Sequence, residues 1–587
     1  MRTSSWLRLL ALPGPLRVLC AEQLVDDLPR LADDATYNSG LGHDQDILGP
    51  LPCPDYTQYA VHKHRPFSDG PLSLPFQRPH KSCRKFTSPE VEQVIQDLYP
   101  RLKDRDLAHI FQNAFPNTLD TTVLWHVDGE STHAGKSKYM RYKDNAQWNG
   151  AQSFIVTGDI NAEWLRDSTN QLAQYQLLAK TAPDISNLIR GAIATQAEFV
   201  IESPYCNAFQ PPGPSGLDPS NNGQQDTVHP LYEPSTVFEC KYELDSLANF
   251  LSLGNQYHAA TGSTKFLTSR WFFALRTLIE VLKAQSLSTF TDVGHKYHIN
   301  EYTFSRWTNI GTETLNLRGG GNPLANHTGL IRSAFRPSDD ATILQFLIPS
   351  NAMMSVELER TATLLSTFKS SLPKDTPQSD RDAVSAYIDL CSSISTRIRA
   401  GIFKHAVVDH PTFGRVFAYE TDGYGSHILM DDANIPSLLS LPLLGFITDS
   451  TSSEIYQNTR KMVLSTEGNP YFLTGPSFTG IGGPHIGLAN AWPMSVLMQA
   501  MTSDNDTEIL ECLERVKNVS VFGLINESVD VRVGVDKRTG MGMTRSWFAW
   551  ANSVFAQTVL WLVEKKPELM FETGREKYVV GEGFVRV

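Results

Sequence analysis

Helix-like apolar spacing recurs about a dozen times along this chain, with polar loops bearing Gly or Pro between the repeats, and this limits its fold more than any other feature. The stretches are Val91–Leu102, Leu107–Ala114, Thr169–Ala179, Ile185–Ile201, Glu243–Ala260, Thr264–Ala284 and Met353–Leu365. They continue as Arg381–Ile402, Ile435–Leu444, Ser452–Leu464, Pro493–Met501, Asp504–Lys517 and Ser546–Val563. Strand alternation is confined to short pieces such as Phe154–Val156 and Arg415–Tyr419. No short internal repeat is present, which disfavours a solenoid. The expected architecture is therefore mainly α: an (α/α) barrel with a pocket at one end.

The order of events along the chain refines this. Residues 22–87 are Pro-rich and have few helical periods, so they read as an extended N-terminal segment laid over a larger body, the barrel of residues 88–587. Ser88-Pro89-Glu90 marks its start, with a hydroxyl at the N-cap, Pro at the first helical position and an early acid. Ser203–Pro234 and Leu317–Thr328 read as surface insertions. Met1–Ala21 carries Arg2, Arg8 and Arg17 and no acid, which suits either a secretory signal or an organellar presequence. Seven cysteines form no CxxC pair; Cys53 with Cys83 could staple the extension, or the thiols could be isolated and buried.

Composition removes some functions. A net charge of −12 with 19% charged residues argues against a nucleic-acid partner, which needs a clustered basic face. No apolar run approaches the roughly 18 residues of a membrane span; the best, Ile435–Ile447, is broken by Pro436 and Pro442.

The chemistry lies in short motifs between the helices: AEWLRDS (162–168), KYELDSL (241–247), RPSDDAT (336–342), AYETDGYG (418–425), GPSFTGIGGPHIG (475–487), INES (525–528) and TRSWFAWANS (544–553). Five of the seven mix aromatic rings or His with polar or acidic groups and turn formers; RPSDDAT and INES add acids and turn formers with no ring. That is the composition of a sugar pocket, where rings cover the pyranose, charged groups bind hydroxyls and two carboxylates cleave the glycosidic bond. Arg166 and Asp167 sit where a helix begins and could bridge vicinal hydroxyls, or could simply cap the helix. Glu243 and Asp245 open another helix; at most one is expected to face the pocket. Glu527 stands in apolar company. His485 follows glycines that permit close backbone approach to a ligand. Trp547, Phe548 and Trp550 read as core of an inner helix.

With FPNTLDTT (115–122), IPSNA (348–352) and DDANIPSLLSLP (431–442), these motifs run in order over about residues 88–563. Together they resemble glycoside hydrolase family 125, the metal-independent exo-α-1,6-mannosidases, whose members include fungal proteins described as meiotically up-regulated. The resemblance implies an (α/α)6 barrel, no cofactor or metal, and inverting release of terminal α-linked mannose from a mannoside or glycan. It places the general acid on Asp245 and the general base on Glu527. Arg166, Asp167, Arg336, Asp339 and His485 would hold hydroxyls, with Trp164 as a stacking face. Bacterial members tend to have His where Asn526 precedes the base. A glycan-processing role favours the secretory reading of Met1–Ala21.

Two other readings stay open from sequence. Asp339, Asp340, Asp431 and Asp432 could be oxygen ligands of a Ca²⁺-dependent α-mannosidase of another (α/α) family. A mannan-binding protein without turnover would keep the same pocket.

Overall fold

The computed structural model describes residues 52–129 and 150–586; the Met1–Ala21 targeting segment and the first part of the 22–87 extension lie outside them. Six inner helices begin at one end of the molecule. They are Leu165–Ala173, Leu244–Thr261, Ile348–Ser371, the single turn Leu441–Leu444, Pro493–Met501 and Ala549–Lys565. The last packs back on the first and closes the ring. Outside them lie Pro183–Glu202, Ser269–Gln285, Gln378–His405, Ser450–Val463, Asp506–Val519 and Arg105–Ala114. This is the (α/α)6 barrel.

Sequence explains which helices lie inside. Ala549–Lys565 is apolar nearly all round, and Trp550, Phe555, Val559 and Leu562 are fully buried. Arg105–Ala114 and Asp506–Val519 instead carry one apolar stripe and cap themselves with Asp104 and Asn505, which accept backbone N–H groups of the first turn. The expected helix Ile435–Leu444 shrinks to its last turn. Pro436 follows a cis peptide bond, and Asp431 takes the N–H groups of Leu438 and Leu439 that a longer helix would have used internally. Helix Ile348–Ser371 begins five residues earlier than its apolar spacing indicated, at a Pro in its first turn.

The described part of the extension is knitted to the barrel. Cys53 and Cys83 are disulfide-bonded. Tyr56 packs edge-on to Trp547 at 4.6 Å, and Asn113 donates to the carbonyls of Pro75 and Gly523. Arg78 joins Asp120 and Glu92. The 203–234 insertion is more than loop: Ala208–Phe209 pairs with Glu163–Trp164 and with Val237–Glu239, and a second disulfide, Cys206–Cys240, closes its base. Cys391 and Cys512 remain free and buried.

One buried acid gives the barrel a pH signature. Glu163 sits where Ile155 N–H donates to its Oε2, and burial pushes its pKa up to about 8. An unfolded Glu titrates near 4.3. Between those values the native state keeps a proton the unfolded chain has lost, so this residue's stabilising term falls as pH rises. Glu163→Gln is expected to flatten the decline of Tm between pH 5 and 8, the wild-type slope reflecting on the order of a few kcal/mol. Thermal melts across that range check it; parallel slopes would refute it.

Candidate active site

All six inner helices present their N-termini to the same end of the barrel, where unpaired N–H groups and the helix dipoles favour anions and hydroxyl oxygens. An open pocket lies there. Trp164, Arg166 and Asp167 enter from the first inner helix, Trp492 from the fifth, and Phe548 and Trp550 from the sixth. Loops add Ser338, Asp339, Asn434, His485, Glu527 and Arg545.

Arg166 is the electrostatic centre. Its Nη1 is 2.7 Å from Glu243 and 3.9 Å from Asp245; its Nη2 is 3.1 Å from Asp167 and 3.8 Å from Asp339. The guanidinium lies 5.1 Å over the Trp550 ring and forms the floor. Four carboxylates around one guanidinium cannot all ionise cheaply in a dry site. Burial, opposed by Arg166, raises Glu243 well above the usual range and pushes Asp167 and Asp245 each up to about 6. Asp339 goes the other way. Burial would raise it too, but Arg166, Lys241 and a hydrogen bond from Glu243 outweigh that and hold it below the usual carboxylate range. Glu243 and Asp339 thus form one hydrogen-bonded pair that retains a proton on its buried side.

Asp339 is built to reach the cavity. It sits at φ 68° in the Pro337–Asp340 turn, with its N–H donating to Arg336 C=O and Arg336 N–H donating to Asp340 C=O. Trp164 Nε1 (3.3 Å) and Asn207 Nδ2 (3.1 Å) both donate to Oδ1, which leaves Oδ2 as the oxygen able to carry a proton. Its side chain is 21% exposed.

Asp245 is placed differently from the role the resemblance gave it. It is 0% exposed, does not line the cavity, and accepts from Ser350 behind Arg166. A general acid must come within hydrogen-bond reach of the leaving oxygen, and Asp245 as it stands does not face the cavity. Arg336 also stands apart from the lining residues: its Nε donates to Glu420 at 2.6 Å, while Glu420 accepts the N–H groups of Ile343 and Leu344. The ion pair braces the turn that carries Asp339. Trp164 lines the cavity, yet its indole N–H is spent on Asp339.

On the opposite wall, Glu527 Oε2 accepts from Thr544 Oγ1 at 2.8 Å and Oε1 lies 3.5 Å from Arg545 Nε. Its neighbour Asn526 turns its amide to Ser528 C=O and does not line the cavity. His485 stands 3.6 Å from Asp340 Oδ2; burial opposes its charging, but Asp340 prevails and holds the imidazole above its ordinary pKa. Gly483 lets this segment approach, since a Cβ there would meet the Asp432 carboxylate at 2.9 Å. The four acids suggested as Ca²⁺ ligands do not converge. Asp431 caps a turn, Asp432 accepts from Asn434, and among the described residues no group of three or more His, Cys, Asp or Glu could hold a metal.

Trp492, Phe548, Trp550 and Arg545 were not anticipated as pocket residues. Their common signal is position: each stands at or just before the first turn of an inner helix, or in the loop leading to it.

An (α/α)6 barrel whose inner helix N-termini surround a pocket of indoles, carboxylates and one buried arginine defines a glycoside hydrolase. The chain belongs to the metal-independent alpha-mannosidase family GH125, whose sequence model matches residues 104–560. It is 48% identical over 522 residues to the meiotically up-regulated gene 157 protein of Schizosaccharomyces pombe, covering 88% of this chain and 94% of that one. It is also similar to a metal-independent α-mannosidase from Streptococcus pneumoniae, solved in a non-productive complex with α-1,6-mannobiose. That match has a TM-score of 0.67 and 28% identity, and it covers 81% of this chain and 98% of that chain.

Proposed function

We propose that this protein is an inverting exo-α-1,6-mannosidase in which Asp339, paired with Glu243, is the general acid and Glu527 the general base. The observation that carries the reading is that Asp339 and Glu527 come from separate loops into one cavity, and only Asp339 has a buried acid behind it as a proton store. A mannose ring against Trp492, Phe548 and Trp550 displaces water from Asp339, and the pair's proton moves to Oδ2. That proton passes to the glycosidic oxygen as the C1–O bond breaks. Water attacks C1 from the opposite face and its proton goes to Glu527, so the product is β-mannose; proton exchange with solvent resets both carboxyls. Asp167 and His485 bind ring hydroxyls, and Arg166 closes the pocket floor, which suits a chain end. The S. pneumoniae protein's complex with α-1,6-mannobiose supports that linkage.

Proton NMR of α-1,6-mannobiose hydrolysis tests this. β-Mannose is expected as the first product at the same rate with and without EDTA; α-mannose first, or no cleavage, would overturn the proposal. A secretory location belongs to the same reading, supported by the two disulfides, which persist in oxidising compartments. Among the described residues no helix is long and apolar enough to cross a membrane.

A further inference from the structure

Asn207 is fully buried inside the 203–234 insertion, and its one amide meets both members of the acid pair. Nδ2 donates to Glu243 Oε1 and to Asp339 Oδ1, each at 3.1 Å. Its Oδ1 accepts the backbone N–H of Lys241 at 3.0 Å, which fixes the amide with its NH₂ towards the carboxylates. Asn207 and Lys241 each directly follow one cysteine of the Cys206–Cys240 disulfide. The backbone on both sides of this contact is therefore covalently joined at the base of a long insertion. The Asn207 C=O also accepts Leu165 N–H, tying the clamp to the helix that carries Arg166.

We infer that Asn207, locked by the Cys206–Cys240 disulfide, is a positioning residue for acid catalysis: it fixes Asp339 against Glu243 so that the shared proton is delivered from Asp339 Oδ2. The inference rests on the Asp339 acid assignment. An amide donating to both carboxylates holds their spacing and keeps Oδ1 occupied, so the proton has one exit. A displacement of about 1 Å would cost on the order of 10² in rate, and only where the leaving group needs protonation.

The test compares two substrates, α-1,6-mannobiose and 2,4-dinitrophenyl α-mannoside, whose departing phenolate needs no proton. Asn207→Ala is expected to lose on the order of 10² in kcat on mannobiose and to stay within a few-fold on the aryl mannoside. The double variant Cys206→Ser/Cys240→Ser should show the same selectivity with a smaller loss, about tenfold. Asn207→Asp adds a carboxyl beside the pair and should move the basic limb of the mannobiose pH profile upwards. Equal losses on both substrates, or none, for Asn207→Ala would overturn the inference; that ratio stands even if the disulfide variant fails to fold. Asp339→Asn serves as the reference. If it too fails to discriminate between the substrates, the acid assignment falls; if it discriminates and Asn207→Ala does not, only the present inference falls.

Discussion

Asp339→Asn is expected to lower kcat on α-1,6-mannobiose by on the order of 10²–10⁴, while Asp245→Asn changes the rate far less on any substrate. The contrast follows from where the two carboxyls lie. Asp339 shows a fifth of its side chain to the cavity and keeps one oxygen free of N–H donors; Asp245 is sealed behind Arg166 with Ser350 as its partner. Replacing Asp339 removes the last carrier of the proton and leaves Glu243 with no route to substrate. Replacing Asp245 by its neutral isostere takes one negative charge from a cluster of four acids around a single guanidinium. That relieves Glu243 of a like charge and shifts its proton affinity downwards, an effect on the pH profile more than on the maximum rate. The measurement is kcat for both variants on mannobiose across pH 4–8, with melting temperatures to show that each is folded. Equal and large losses for the two would return the acid role to Asp245, and a larger loss for Asp245→Asn would do so outright.

The split between what could be read from sequence and what could not has a physical origin. Helices with strong apolar patterns were legible: Pro183–Glu202 and Gln378–His405 fall within three residues of their expected ends. The fourth inner helix was not, because Ile435–Leu444 has helical spacing but the N–H groups of Leu438 and Leu439 go to the Asp431 carboxylate. The site was legible as a set of motifs and not as a set of roles. KYELDSL contributes two acids two residues apart, and spacing alone cannot tell which faces inward. In the fold neither lines the cavity: both are buried, while the exposed carboxyl comes from the turn at Asp339. RPSDDAT holds the same ambiguity for Arg336, whose Nε donates to Glu420, 84 residues on, a partner that no local spacing announces. The aromatic walls went unread because Phe548 and Trp550 satisfy a core pattern equally well; they are buried and line the cavity at once. Long-range partners decide each of these cases, and no local pattern encodes them.

Glu527→Gln should cut turnover with a different signature, and that difference separates the two halves of the mechanism. The base activates water, so its loss should cost on the order of 10²–10⁴ on mannobiose and as much again on 2,4-dinitrophenyl α-mannoside, since a better leaving group does not supply a nucleophile. Glu527 is held by Thr544 Oγ1 at 2.8 Å and Arg545 Nε at 3.5 Å, and Gln can keep the first contact, so the pocket should survive with mannobiose still binding. Azide, which needs no deprotonation, should then restore turnover on the aryl substrate. Because it would enter from the face that water uses, the product should be β-mannosyl azide. Recovery of β-mannosyl azide by NMR would fix both the role of Glu527 and the inverting geometry in one experiment. α-Mannosyl azide would instead be net retention, which a single displacement cannot give; it would replace the inverting reading with a two-step mechanism through a glycosyl-enzyme intermediate.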